Sequence, residues 1–527
     1  MNGSGLGVRR RILWTMFLGW LVLGPALASE ADLAAPIRAL LTGGKASGFG
    51  ASGISATQLR AFYERRAFAP AWSGSAAAER DADIALDILK RAGEQGLDDG
   101  AYRLRETLLR RNASAPADRA AFDLLLSDGL LRYMADVRDG RTELRALDRD
   151  VGLAPKTFDA PAALEDALRA GRLAEFLAAL PPPGHPYREL ERALARYRNI
   201  AAGGGWPAAP EAMTKDLGAD TPETAALRRR LEIEYPTPPA EPAGDLKLAV
   251  EAFQARHGLE ADGKVGPKTL QALNVSASER ADQIAMNMER WRWLPRDLGS
   301  RYVIVNAANA TLAVVEDGRT VLRSKVIVGK PFQRTPIFAA AIDAITVNPD
   351  WNIPAKIARN EIWPKARRNP GYLSRNHIVI GPAGGLRQLP GADNALGRIK
   401  LEMPNRFASY LHDTPARSLF ARNERHLSHG CIRVEEIKAL ASFALTGDAT
   451  RGLERIEPLI EQDSTTTISL DRPLSVYVLY WTAFLGENGA VDFAPDVYGR
   501  DRRMLAKLAG KPVAGRVTMN EGECWRA

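Results

Sequence analysis

The chain has 527 residues and a formal net charge of +8, with 46% hydrophobic and 25% charged residues. This length allows about three domains once an N-terminal segment is set aside. The positive charge is mild and no segment resembles a basic recognition helix, which excludes the ordinary nucleic-acid-binding classes.

The first 28 residues have the layout of an export signal. Arg9, Arg10 and Arg11 precede the apolar run ILWTMFLGWLVLGP, and the small residues of ALAS follow it. This pattern is typical of a cleaved secretory signal, and the run is too short to favour a permanent membrane span. We predict export from the cytoplasm, with an uncleaved N-terminal anchor as the alternative. Removal of residues 1–28 lowers the formal charge to about +5.

Residues 29–240 are predicted to form a helical scaffold domain. Apolar residues recur at helical spacing in DADIALDILKRAGEQGL and in AAFDLLLSDGLLRYMADVRDG. A third helix is expected between the proline stop and the glycine run of LAALPPPGHPYRELERALARYRNIAAGGGWP. Proline-rich YPTPPAEPAGD then reads as a linker.

Residues 241–278 are predicted to form a separate small module. In AVEAFQARHGLEADGKVGPKTLQALN, one helix is followed by the turn ADGKVG and a second helix that opens with Pro267. The steps Phe253-Gln254, Asp262-Gly263 and GPKTL resemble a peptidoglycan-binding domain of the small three-helix type. The resemblance implies that peptidoglycan glycan and stem peptides are partners. Residues 279–300 are expected to return to the scaffold as a linker.

From residue 301 to 527 a mostly β domain is predicted. RYVIVNAANATLAVVEDGRTVLRSKVIVG alternates with a period of two around an Asp-Gly hairpin turn. A proline-punctuated, helix-like insertion at about 350–380 is expected to be a lid or binding flap. PLSVYVLYWTAFLGENGAVDF is expected to continue the sheet with two strands.

Reactive residues concentrate in YLHDTPARSLFARNERHLSHGCIRV, which holds three of the six histidines and one of the two cysteines. A thiol is a good nucleophile when a base or a positive field favours its thiolate. We expect Cys431 to lie just before a helix in VEEIKALASFALTG, whose N-terminus favours an anion. His412, at a strand end, is the expected base, oriented by a backbone carbonyl near Asp413. The amides of His429, Gly430 and Cys431 are expected to hold an oxyanion.

Two other readings of the cluster stay open. His412, His426, His429 and Cys431 are residue types that bind zinc, but neither C-x-x-C nor H-E-x-x-H spacing is present, so neither a metal nor another cofactor is expected. Cys431 and Cys524 would be able to form a disulfide in an oxidising compartment.

The order of an upstream histidine, Ser-His-Gly-Cys, an apolar residue and arginine resembles the signature of the YkuD-type L,D-transpeptidase catalytic domain. The mature chain resembles the large periplasmic subfamily of that family, so the expected fold is multidomain α+β, with scaffold, wall-binding module and β catalytic domain. The resemblance implies a periplasmic enzyme that acts on peptidoglycan, with cell-wall proteins as further partners. It implies that Cys431 is the nucleophile and His412 the general acid and base. Further site residues implied are Ser428, His429, Gly430 and Arg433 as motif positions, with Tyr410 and Trp351 toward substrate.

By the same resemblance, Cys431 forms a thioester on a stem tetrapeptide with release of D-alanine, and a 3→3 cross-link follows. The same site would serve an L,D-carboxypeptidase if water were the acceptor, or a protein-to-wall ligase if a protein amine were. A non-catalytic wall-binding scaffold and a zinc-dependent wall peptidase are the remaining alternatives.

Overall fold

The computed structural model of the protein describes residues 30–42, 56–154, 156, 158–209, 217–235 and 245–510. The predicted export signal, nearly all of the proline-rich linker and Cys524 lie outside these residues. Within the described ranges, no helix is both long enough and apolar enough to cross a membrane.

The N-terminal region is a helical domain built around one long helix. Its helices are α1 (Glu30–Thr42), α2 (Ala56–Arg65), α3 (Ala76–Lys90), α4 (Leu104–Arg110), α5 (Pro116–Asp139), α6 (Thr142–Ala146), α7 (Ala160–Arg169), α8 (Leu173–Ala178) and α9 (His185–Ala202). Asp123, buried in α5, accepts hydrogen bonds from Tyr63 Oη at 2.7 Å and from the amides of Ala71 and Trp72 at 2.9 and 3.0 Å. This carboxylate ties α5 to α2. The three helices predicted from periodicity correspond to α3, α5 and α9.

The small module consists of three helices, α10 (Pro222–Glu234), α11 (Leu246–Arg256) and α12 (Pro267–Leu273). Leu227 and Leu231 of α10 share one buried core with Val250 and Phe253 of α11. The sequence prediction assigned α10 to the scaffold and started the module at residue 241. The structure puts the start earlier, because α10 covers the apolar face of α11.

One glutamine explains the fixed spacing of the module's motif. Gln254 Nε2 donates to the Lys264 carbonyl at 2.9 Å and to Thr269 Oγ1 at 3.0 Å. Its Oε1 accepts from the Gly263 amide at 2.9 Å. Because a buried amide needs all its partners, residue 254 dictates both the turn and the start of α12.

A second structural unit is a large sheet that closes on itself. The strands are β1 (Val151–Gly152), β2 (Arg301–Asn306), β3 (Thr311–Glu316), β4 (Arg319–Gly329), β5 (Ile337–Val347), β6 (Trp351–Ile353), β7 (Ile378–Ile380), β8 (Leu386–Gln388), β9 (Ile399–Glu402), β10 (Leu411–His412), β11 (His426–Ser428), β12 (Ile432–Val434), β13 (Thr466–Leu479), β14 (Ala483–Leu485) and β15 (Val491–Phe493). The sheet order is β1-β5-β13-β2-β3-β4-β12-β10-β9, and β9 also pairs with β5. β11 pairs with β4. The predicted change from helical to β periodicity at residue 301 is confirmed.

The insertion between β5 and β9 forms its own small subdomain. It contains the sheet β6-β8-β7 and the short helices α14 (Ala355–Ile357), α15 (Trp363–Arg368) and α16 (Tyr372–Arg375), with a π-helical turn at Ala358–Ile362. Ile353, Ala358, Ile362, Ile378 and Leu386 form its core. The insertion was predicted to be helix-like and to end near residue 380. It extends to β8, because β8 is the central strand of the small sheet and pairs with both β6 and β7.

The remaining helices join the sheet to the scaffold. They are α13 (Ala277–Arg292), α17 (Ile437–Thr446), α18 (Leu453–Glu461) and α19 (Arg500–Leu508). α13 packs along α9, and β1, which lies between the scaffold helices α6 and α7, pairs with β5 of the sheet. PLSVYVLYWTAFLGENGAVDF was predicted to continue the sheet with two strands, and its first part does so as the end of β13. β14 and β15 instead form a separate hairpin, because Ala483, Val491 and Phe493 face the apolar surface of α9 and α13.

Candidate active site

The candidate site lies on two neighbouring strands, β10 and β12. They run parallel, with Leu411 opposite Ile432 and His412 opposite Arg433. The ladder extends one residue further, since the Ile432 amide donates to the Tyr410 carbonyl at 3.1 Å. Neighbouring strands lie about 4.8 Å apart, so residues 21 positions apart in sequence become direct neighbours.

Alternation along these strands separates the core from the candidate site. Leu411 and Ile432 are both 0% exposed and belong to the core of the sheet. Because side chains alternate between the two faces, His412 and Arg433 lie on the opposite face. The same alternation adds Cys431, which directly precedes β12. The predicted nucleophile and base therefore share one face, with Arg433 beside them.

His412 is buried and held in one tautomer. Its side chain is 4% exposed, and Nδ1 contacts the Asp413 carbonyl at 2.6 Å. Because a carbonyl only accepts, Nδ1 carries the proton and Nε2 is the acceptor nitrogen. The expectation that a backbone carbonyl near Asp413 orients this ring is confirmed.

Burial, assisted by the charge of Arg433, lowers the pKa of His412 to about 3, while the carbonyls of Asp413 and Leu396 act in the opposite direction. The imidazole is therefore neutral at every physiological pH. A neutral imidazole is the form that accepts a proton.

Arg433 connects the two reactive groups electrostatically. Burial lowers the pKa of its guanidinium, and attraction to Cys431 opposes that shift. The attraction is mutual, so Arg433 favours negative charge on the Cys431 sulfur. The same cation opposes a positive charge on His412. Lys400, opposite His412 in β9, acts on the imidazole in the same way.

Ser428 stabilises the turn that carries Cys431 through two hydrogen bonds. Ser428 Oγ accepts from the Gly430 amide at 3.1 Å and donates to the Cys431 carbonyl at 2.6 Å. Gly430 has φ +121°, a conformation that favours glycine. Gly430 was predicted to hold an oxyanion or to shape the turn, and its amide donates to Ser428 within the turn. The oxyanion role of the amides of His429, Gly430 and Cys431 stays a prediction.

The expected helix N-terminus behind the thiol is also wrong. α17 begins at Ile437, and the whole of β12 lies between Cys431 and the helix. A strand of three residues spans roughly 10 Å. Since a helix field falls off within about one turn, Arg433 supplies the positive field that the sequence analysis assigned to α17.

The other two histidines of the cluster face different partners. His429 Nε2 donates to Glu361 Oε1 at 2.7 Å, which joins the turn that carries Cys431 to the π-helical turn of the insertion. His426 Nε2 donates to the Ala307 carbonyl at 3.0 Å. Among the residues that the structure describes, no three His, Cys, Asp or Glu side chains are placed to hold a metal ion.

The two residues expected toward substrate have different surroundings. The Tyr410 ring packs edge-on against His412 at 5.5 Å, and Lys400 Nζ lies 4.6 Å from its centre. Trp351 lies in β6 and packs against the core of the insertion. Tyr410 thus belongs to the site, whereas the contacts of Trp351 are those of the insertion. Glu361 and Lys400 were not predicted from the sequence, because neither is near the motif in sequence.

Three family models match the chain in chain order. Residues 57–194 match a model described as "Scaffold domain", and residues 221–273 match one described as "Putative peptidoglycan binding domain". Residues 300–456 match the model of the L,D-transpeptidase catalytic domain, named YkuD. This part of the chain is therefore similar to a YkuD-type L,D-transpeptidase catalytic domain. The matched segment contains both strands of the candidate site, so the region of similarity and the Cys431 site coincide.

The chain is also similar to a curated protein. A protein of Haemophilus influenzae described as "Putative L,D-transpeptidase" is 34% identical over 267 residues, which cover 46% of this chain and 54% of that protein. The chain thus spans about half the length of this relative.

Two solved structures also match. One is of the Ldtfm–avibactam carbamoyl enzyme (13% identity, 36% of this chain, 51% of that chain, TM-score 0.19). The other is an L,D-transpeptidase (Yku) from Stackebrandtia nassauensis (17% identity, 55% of this chain, 91% of that chain, TM-score 0.18). Both scores are below 0.5, so neither superposition supports a statement about this chain.

Proposed function

We propose that the protein is a cysteine-dependent L,D-transpeptidase that forms 3→3 cross-links between peptidoglycan stem peptides. The observation that carries the proposal is the parallel register of β10 and β12, which gives His412 and Cys431 a common face beside Arg433. A nucleophile, a neutral base and a cation that acts electrostatically on both are parts that suit acyl transfer through a thioester.

In the first half-reaction, the Cys431 sulfur attacks the carbonyl carbon of the third residue of a stem tetrapeptide. His412 Nε2 takes the thiol proton, and Arg433 favours the charge on sulfur. The new S–C bond replaces the C–N bond to the terminal D-alanine. The proton passes from His412 to the leaving amine, and free D-alanine departs.

In the second half-reaction, an amine of another stem peptide attacks the thioester carbon. His412 takes the amine proton and returns it to the Cys431 sulfur, so the enzyme is restored. Water in place of the amine would give an L,D-carboxypeptidase, and an amine of a protein would give a wall-anchoring ligase. Acceptor choice therefore depends on what reaches the thioester.

The contact between His429 and Glu361 supports a lid role for the insertion. The side chains are 24% and 42% exposed, so the pair lies at the rim of the site and is within reach of solvent. With the pair formed, the insertion is fastened to the turn that carries Cys431. We infer that this arrangement protects the thioester from water while the second stem peptide binds.

The wall-binding module is positioned beside the catalytic domain by polar contacts. Asn423 Nδ2 donates to the Gly258 carbonyl at 3.1 Å, and Lys268 pairs with Glu424. Both catalytic-domain residues lie just before β11, which leads into the Cys431 turn. We infer that the module holds peptidoglycan next to the site, and that the protein works in the periplasm.

The test is mass spectrometry of products after incubation with purified disaccharide-tetrapeptide, with C431A beside the parent protein. A cross-linked dimer lighter than two tetrapeptides by one D-alanine, absent from the C431A sample, is the expected result. Tripeptide monomer alone would mean a carboxypeptidase. Unchanged substrate with a folded sample would reject the proposal and favour a wall-binding scaffold.

A further inference from the structure

A buried threonine lies directly behind the catalytic turn. Thr335 is 0% exposed and follows β4 in the loop that leads to β5. Its Oγ1 donates to the Gly430 carbonyl at 3.0 Å and accepts from the Gly329 amide at 2.9 Å. One hydroxyl group thus joins the residue before Cys431 to the end of β4.

The backbone of Thr335 is fixed as firmly as its side chain. Tyr498 Oη accepts from the Thr335 amide at 3.4 Å and donates to the Gly329 carbonyl at 2.7 Å. Arg500 Nη2 donates to the Thr335 carbonyl at 3.3 Å. Every hydrogen-bonding group of Thr335 is therefore engaged, and all the partners come from the catalytic turn, β4 or the C-terminal segment.

The network continues into the scaffold. Arg500, which is 3% exposed, donates through Nε to Asp148 Oδ2 at 2.7 Å. Arg334, next to Thr335, pairs with Asp150 at 3.0 Å. The two arginines hold the pKa of Asp148 well below its usual range, despite its burial. Two arginines and two aspartates thus face each other, and Arg503 is a further cation that acts on Asp150.

The network unites three separate stretches of the chain. Asp148 lies within the segment matched as scaffold, residues 57–194, whereas Thr335 lies within the catalytic match, residues 300–456. Tyr498 and Arg500 lie beyond both segments. A network made only for packing would not have to converge on the carbonyl that precedes the nucleophile.

We propose that Thr335 is a positioning residue for the Cys431 turn, and that Asp148 and Arg500 fix it from the scaffold and the C-terminal segment. The inference rests on the proposed function for its activity readout only. We infer that the Thr335 hydroxyl, which lies behind the turn and away from the substrate side, fixes the position of the Cys431 sulfur relative to Arg433.

The experiment uses the full chain with a C524A background, so that Cys431 is the single cysteine. T335V keeps the shape and removes the hydroxyl, T335S keeps the hydroxyl, and T107V is the matched control. Thr107 is also 0% exposed, but it bonds the Arg103 carbonyl within the scaffold. Cross-linking kinetics and the pH profile of Cys431 alkylation by iodoacetamide are measured for each.

T335V should lower kcat roughly tenfold to a hundredfold, because a small displacement of a reacting group has that effect. KM should change by less than about threefold, since the hydroxyl contacts no substrate. The alkylation midpoint should move to higher pH as the sulfur leaves the field of Arg433. T335S should restore both readouts, and T107V should leave both unchanged.

D148N tests whether Asp148 affects the Cys431 turn through Thr335. Its effect on kcat should be much smaller in T335V than in the parent protein, because both changes act through the same turn. Additive effects, or a T335V protein with the parent kcat and alkylation profile, would overturn the proposal. If the parent protein makes no cross-links, the proposed function fails, but the alkylation profiles still decide the positioning role.

Discussion

Burial of the His412 imidazole determines how the free energy of unfolding depends on pH. Its pKa is lowered from 6.5 to about 3 by burial and then by Arg433. Between these values the unfolded chain binds a proton that the folded chain does not. The free energy of unfolding must therefore fall as the pH falls from 6.5 toward 3, and the contribution is complete above pH 6.5.

The size of this effect follows from the shift. Each pH unit within the window is worth about 1.4 kcal/mol, so acidification from pH 6.5 to 5 should remove about 2 kcal/mol of stability. Replacement by asparagine, which can still donate to the Asp413 carbonyl, abolishes the proton site. The H412N protein should therefore lack this part of the acid sensitivity, whatever its stability at pH 7.

The measurement is urea denaturation followed by tryptophan fluorescence at pH 7, 6.5, 6 and 5, for the parent protein and H412N. His257, whose pKa is also lowered by burial, is present in both proteins and cancels in the difference. H185Q removes an exposed imidazole and is the control for loss of a histidine. If the parent protein and H412N lose stability in parallel as the pH falls, His412 is not held neutral and the account of the base is wrong.

Three further changes test the site. C431A should abolish activity with the fold intact, whereas C524A should change little; product analysis and circular dichroism check both. E361Q should weaken the contact with His429 and raise the ratio of hydrolysed tripeptide to cross-linked dimer severalfold, while E457Q, at the exposed pair with Lys438, should not. G430A should cost about 1–2 kcal/mol, because φ +121° strains any side chain, and should also lower kcat, which calorimetry and kinetics would measure.

The sequence was most informative where chemistry and local periodicity coincide. The alternation of residues 410–412 and 431–434 is enough to put His412 and Cys431 on corresponding faces once the two strands pair. The Asp413 carbonyl was predictable for the same reason, since it directly follows His412. The module motif was equally readable, because Gln254 bonds residues within its own turn.

What the sequence did not predict depends on contacts between distant segments. Nothing local shows that Glu361 meets His429 or that Thr335 supports Gly430. The error about α17 has a different origin: VEEIKALASFALTG has helical periodicity throughout, but Val434 pairs with Val326 of β4 and extends the sheet instead. Pairing with a neighbouring strand outweighed helix propensity at the first residue of that stretch.

The position of β13 has a consequence for how the domain is made. This strand, Thr466–Leu479, lies between β5 and β2, yet it is the last strand of the sheet to be synthesised. Until it emerges, β2 and β5 each present an unpaired edge, and the ring of strands stays open. Formation of the catalytic fold must therefore wait until nearly the whole chain is available, which favours slow, late assembly. For the export that residues 1–28 predict, such a delay would be useful, because a chain whose sheet closes only near its end stays unfolded while it crosses the membrane.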